Sequence, residues 1–208
     1  MNYLEALNNR YSVKKFDPTR IVEPEKLYQI LEAARLSASS MGLQPYKIYI
    51  VGSEPVKQQL IPAFYNPSQI STCSHLIVIT SKKHLEKEYL DGYLRHITEV
   101  RGTPAEQLLR FKANIEGFTK DQNFVQQHWA EKQSYIALAN LMFAAALEDV
   151  DTCPMEGFRA DALGDVLMLD REKEQVSVTL ALGYRAADDA FQTLKKVRKP
   201  TEKLFKFI

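Results

Sequence analysis

The sequence predicts a layered fold, α/β or α+β, with helices on both faces of a small sheet, and three observations point to it. Short β-branched apolar runs bounded by turn residues recur at 47–51, 76–80 and 176–184, as buried strands do. Helical periodicity fills much of the chain between them. The stretch 129–147 is apolar nearly all round, and a helix without a polar face is normally central or lies at a subunit interface. Few strands separated by long helices favour helices packed over a sheet.

Taken in order, Tyr3, Leu4, Glu5, Ala6 and Leu7 form a short amphipathic segment. At 24–38, Leu27, Ile30, Leu31, Ala34 and Leu36 recur at helical spacing, and Pro24 and Glu25 suit a first turn. The 47–51 strand precedes a helix near 56–63, the 76–80 strand precedes a longer helix starting near Lys87, and the apolar helix precedes the 176–184 strand.

A chain of 208 residues with 45% hydrophobic content suffices for one domain with a substantial core, so 1–208 is expected to be a single domain. Lys and Arg number 27 against 26 Asp and Glu, a formal charge of +1, which gives no global bias toward nucleic acid or an anionic membrane. Cys73 and Cys153 lack ligand or disulfide spacing and fit reduced thiols, and the four histidines form no metal-ligand pattern, so no metal is expected. Without a signal-peptide pattern or an uninterrupted apolar span, a cytoplasmic location is expected.

The chemistry concentrates in three segments. Arg10, Ser12 and Lys14 offer a planar fork, a hydroxyl and a mobile point charge. In an extended backbone they share one face, leaving Tyr11, Val13 and Phe16 for packing. The run is an anion cradle or a solvated basic turn. Near the other end, Lys196 and Arg198 alternate in the same way within the run from Lys195 to Pro200. Between them, Cys153, Pro154, Met155, Glu156, Gly157 and Phe158 read as a loop whose glycine tolerates close approach by a ligand.

Four pieces in this order, the Arg10 to Phe16 run, Ser39 and Ser40 ahead of Gln44-Pro45-Tyr46, Pro154 to Phe158, and Lys196 to Pro200, resemble the FMN-dependent nitroreductase family. The resemblance is specifically to the branch of oxygen-insensitive NAD(P)H nitroreductases and dihydropteridine reductases. The resemblance implies an α+β, α/β/α-layered fold with a central, mostly antiparallel sheet, and an intertwined homodimer that exchanges C-terminal arms (199–208) and binds one FMN in each interfacial cleft. Leu204, Phe205, Phe207 and Ile208 suit such an arm, since they would otherwise be exposed apolar residues. Packing on their own subunit is the alternative.

By residue-for-residue matching, the resemblance implies that Arg10, Tyr11, Ser12, Val13 and Lys14, with Lys196 and Arg198, form the phosphate and flavin-edge contacts, Lys14 lying at the pyrimidine edge. Pro154 and Met155 would lie along the ring. The backbone N–H groups of Glu156 or Gly157 would point at the hydride-accepting atom, giving these two the catalytic role, although Glu156 also reads as a solvated loop carboxylate. Ser39 and Ser40 would reach the cofactor from the partner subunit, or else cap a helix or fill a tight loop. Asn66 is a cofactor contact or a turn former before Pro67, and Gln69 stands where the family carries a lysine. Gly42 stands where it carries an asparagine. The excursion 84–127, with Tyr89, Tyr93, Phe111, Phe118 and Phe124, would cap the flavin or be ordinary core. The implied activity is hydride transfer from NADH or NADPH to small flat aromatic or quinone-like acceptors, alternately bound. Dihydropteridine reduction, flavin destruction, dehalogenation and flavin binding without turnover are the rival functions.

Overall fold

A four-stranded, wholly antiparallel sheet in the order β1-β2-β4-β3 organises the chain in a computed structural model that describes residues 2–121 and 124–208. Met1, and residues 122 and 123 of the 84–127 excursion, lie outside the described residues. The strands are β1 (Tyr46–Val51), β2 (His75–Lys82), β3 (Asp151–Met155) and β4 (Glu174–Gly183). The helices are α1 (Tyr3–Asn9), α2 (Pro24–Arg35), α3 (Glu54–Leu60), α4 (Ser68–Thr72), α5 (Lys87–Arg101), α6 (Leu109–Thr119), α7 (Gln126–Leu147), α8 (Ala160–Val166) and α9 (Thr201–Leu204).

Strand alternation sorts the side chains into two layers. Leu76 and Val78 of β2 pack with Phe16, Leu60 of α3, Ile70 of α4 and Leu163 of α8. Ile77 and Ile79 pack on the other face with Ile30 of α2 and Leu138 and Leu141 of α7. Each such buried side chain contributes about 1.5–3 kcal/mol. The result is the expected α/β/α layering. A third cluster, Leu43, Leu90, Ile115, Trp129 and Ala130, sits under the 84–127 excursion. The packed aromatics Tyr93, Phe111 and Phe124 belong to that core.

Cys153, Pro154 and Met155 are not a loop but the second half of β3, with Pro154 opposite Leu180. Proline is tolerated there because β3 is an edge strand, where a missing N–H forfeits no second ladder. Glu156 and Gly157 follow the strand and are exposed.

The backbone is extended at Arg10 and bridges β3 at Ser12, but it bends at Lys14 and Lys15, so the continuous extended run that a shared Arg10, Ser12 and Lys14 face assumes is interrupted at its last member. Ser12 bridges Thr152 of β3 in parallel, and the Val13 N–H donates to the Thr152 carbonyl at 3.2 Å. Val13 and Phe16 are fully buried. Phe16 fits because position 183 is glycine: a Cβ there would stand 2.9 Å from the Phe16 ring and 3.1 Å from the Ser74 nitrogen.

Helix α7 leaves an apolar stripe in solvent: Ile136, Phe143 and Leu147 are 41%, 37% and 41% exposed on one face. At the chain's end Phe207 and Ile208 are fully exposed, with Leu204 and Phe205 more than half exposed. No helix among the described residues is long and apolar enough to cross a membrane.

Candidate active site

A cavity of about 940 Å³ opens between the 10–14 segment and the 191–198 segment, and Arg10, Ser12, Lys14, Lys196 and Arg198 all line it. The two basic runs from opposite ends of the sequence therefore meet at one place. Burial depresses the Arg10 guanidinium below its usual range, and the charge of Arg198 depresses it further. Lys196 is lowered in the same way, first by burial and then by Arg10 and Arg198. The cations crowd one another. Arg10 Nε is buried with no hydrogen-bond partner, and Lys196 Nζ commits two of its three donors to the carbonyls of Leu7 and Arg10 at 2.6 and 2.5 Å.

The nearest carboxylates do not discharge this cluster. Asp151 is engaged by the Arg185 guanidinium, whose Nε reaches its two oxygens at 2.9 and 3.1 Å, and Arg185 in turn stacks over the Tyr11 ring. Asp189, 3% exposed, is committed to holding the cradle's backbone. Its Oδ2 accepts from Lys14 N at 2.8 Å, Lys15 N at 3.3 Å and the Tyr11 hydroxyl at 3.1 Å, and its Oδ1 accepts from Phe191 N at 3.0 Å. Burial alone would raise the Asp189 carboxyl, but the N–H donors of Phe191, Lys14 and Lys15 and the Tyr11 hydroxyl outweigh it, and the net shift is downward. The Tyr11 hydroxyl is pushed up by burial and by its bond to Asp189. Asp189 thus couples the two halves of the cavity, a role no sequence pattern announced.

Behind Lys14 lies a second group. Lys14 Nζ and Gln69 Nε2 each stand 4.0 Å from Cys153 Sγ, and Gln69, 3% exposed, carries a buried Oε1 without a partner. Burial raises the Cys153 thiol, partly offset by Lys14. Gln69 therefore reaches the Lys14 neighbourhood. Asn66 instead accepts from Ser68 N at 3.2 Å, a turn-forming bond.

The remaining sequence-derived candidates lie outside this cavity's lining. Val13 offers nothing to a ligand, its side chain being core. Glu156 accepts from the Tyr135 hydroxyl of α7 at 2.6 Å, the Gly157 carbonyl accepts from Tyr65 N at 3.0 Å, and a Cβ at 157 would stand 3.6 Å from the Tyr65 ring. Pro154, Met155, Glu156 and Tyr135 share a separate hollow of about 390 Å³. Ser39 Oγ accepts from Gln44 N at 2.9 Å, leaving its proton available, and Ser40 N donates to Gln133 Oε1 at 2.8 Å.

Residues 7–184 match the model of the nitroreductase family. A Staphylococcus haemolyticus protein named "Putative NAD(P)H nitroreductase" is 34% identical over 99% of this chain and 96% of its own length. Bacillus subtilis YfkO, carrying the same name, is 33% identical over the same shares. The crystal structure of an FMN complex from Exiguobacterium sibiricum superposes with a TM-score of 0.85, at 22% identity and covering 100% of this chain and 98% of that one. With a family match over most of its length and full-length relatives at this identity, the chain belongs to the nitroreductase family.

Proposed function

We infer that this protein is an FMN-dependent oxidoreductase that takes hydride from NADH or NADPH and reduces flat conjugated acceptors, nitroaromatics and quinones among them, by a ping-pong mechanism. The reading is carried by the cluster of Arg10, Lys196 and Arg198, brought from the two ends of the chain to one cavity, where Asp151 is engaged by Arg185. A phosphate monoester fits that donor set: guanidinium forks, an ammonium and the Ser12 hydroxyl, with the orphaned Arg10 Nε as a further donor. When bound, FMN supplies a ring that accepts hydride and returns electrons.

The chain's own residues hold and orient that group. Arg10, Ser12, Lys196 and Arg198 take the phosphate. Lys14 places a positive charge at the pyrimidine edge, where charge favours the reduced ring. Gln69 can offer its unpartnered carbonyl to a neighbouring N–H donor. Tyr135 holds Glu156, and the backbone N–H groups of Glu156 and Gly157 would be the donors offered to the ring. A donor and an acceptor that stack on one ring face exclude each other, hence the alternate binding. Two buried free thiols fit the reducing cytoplasm.

The active unit is a single-domain homodimer with the cofactor at its interface. The α7 stripe and the apolar tail are unsatisfied in one chain, and burying Phe205, Phe207 and Ile208 against a partner contributes on the order of 5 kcal/mol. Truncation after Arg198 is expected to weaken dimerisation measurably in sedimentation equilibrium. Equal association of truncated and full-length protein would place the tail on its own subunit.

The purified protein is expected to show flavin absorbance bands that bleach anaerobically on adding NADH or NADPH and return on adding a quinone. Bands that NADH and NADPH both fail to bleach would mean flavin binding without this turnover, and a spectrum without flavin that FMN cannot restore would remove the cofactor.

A further inference from the structure

We propose that Tyr89 and Tyr93 of α5 are positioning residues: their hydroxyls splint the 39–44 loop, and through it set how tightly the cofactor is held. The cofactor half rests on the flavin reading above and on the family resemblance, which implies that Ser39 and Ser40 reach FMN from the partner subunit. The Tyr93 hydroxyl donates to the Met41 carbonyl at 2.9 Å, and the Tyr89 hydroxyl stands 2.7 Å from both the Leu43 and Gln44 carbonyls. Two side chains from one helix face, four residues apart, thus bring two hydroxyl protons to three main-chain carbonyls within four residues of loop, the Leu43 and Gln44 carbonyls sharing that of Tyr89.

The loop needs holding. Met41, Gly42 and Gln44 have φ of 55°, 70° and 43°, three left-handed residues of which two bear side chains. Such conformations cost free energy and persist only where the surroundings over-determine them. Here the surroundings are α5, the Leu43 side chain buried beside Leu90, Ile115 and Trp129, and the Ser40 tie to Gln133. Burial pushes the Tyr89 hydroxyl up to about 12, so it remains a donor at any working pH.

Gly42 is the clearance that admits the splint. A Cβ at this position would stand 2.4 Å from the Tyr93 hydroxyl and 3.5 Å from the carbon that bears it, so only the hydroxyl is in the way. Asparagine tolerates a left-handed φ, and the obstacle to it here is therefore Tyr93. The excursion and the loop are matched parts, and the departure at Gly42 is explained by α5 rather than by the cofactor.

Three arms test this. In the apoprotein, Tyr89→Phe/Tyr93→Phe is expected to speed amide hydrogen exchange at 41–46 by tenfold or more, while α2 and β2 are unchanged; unchanged exchange in the loop overturns the splint. In fluorescence titration with FMN the same variant is expected to bind tenfold or more weakly, whereas Ile115→Val, which loosens the excursion core without touching a hydroxyl, retains wild-type affinity. Equal loss in both would reduce the tyrosines to general stability. Gly42→Asn is expected to weaken FMN binding, and to weaken it less in the Tyr93→Phe background than in wild type; equal costs in the two backgrounds overturn the clearance. A wild type that binds no FMN overturns the flavin reading and the cofactor half with it, while hydrogen exchange still decides the splint.

Discussion

Replacing Arg10 and Arg198 together with alanine should strip FMN from the protein while leaving the apoprotein as stable as before or more so. Each charge-assisted hydrogen bond to the phosphate is worth about 1.5–3 kcal/mol, so the pair amounts to about 3–6 kcal/mol. That corresponds to a loss of affinity of about a hundredfold or more. The opposite sign on the apoprotein follows from the crowding: without an anion, Arg10 is disfavoured by its own burial and by Arg198, and Arg10 Nε has no partner to lose. Most double truncations at a part-buried site destabilise both forms, so opposed effects distinguish a ligand cradle from a structural ion cluster. FMN affinity by fluorescence titration and apoprotein melting by circular dichroism provide the two readings. Unchanged affinity would remove the cradle, and a large fall in apoprotein stability would show that the arginines hold the fold.

What the sequence revealed follows from how local each signal is. β2 and β4 were legible because central strands are buried on both faces and therefore read as unbroken β-branched runs. The 10–14 and 196–198 alternation was legible as two potential faces, but their convergence depends on the turn after Tyr184 bringing the two runs together. β3 was hidden because Pro154 and the nearby Gly157 are turn signals, and only an edge position makes that proline acceptable. Gln69 was placed by its match to a family lysine. Its burial against Cys153 depends on the contact of α4 with β3, which composition does not encode. Gly42 shows the limit most clearly: the sequence displays the departure, while the hydroxyl that compels it arrives from Tyr93, half a hundred residues later.

Asp189 had no signal at all, lying in an irregular stretch after β4, and its removal is expected to have the largest effect on stability. Alanine at this position leaves the N–H groups of Lys14, Lys15 and Phe191 and the Tyr11 hydroxyl without their acceptor. An unsatisfied buried donor costs about 1–3 kcal/mol, and with some donors recovering water the total should reach about 3 kcal/mol or more. Asp189→Asn preserves the volume but turns an amide NH₂ toward donors, and should recover little of this. The carboxyl is held below its usual value in the folded state, so its stabilising contribution is full above the unfolded value of about 3.9 and is lost as pH falls through the lower folded value. Urea denaturation of wild type and Asp189→Asn at a series of pH values should therefore give a stability gap that is constant near neutrality and closes in acid, where the wild-type group is itself protonated. The same substitution frees the Lys14 backbone and so should weaken FMN binding alongside stability, unlike the arginine pair, which separates the two. A gap that stayed constant down to pH 2 would mean that the Asp189 charge does not organise the cradle and that shape alone fills the site.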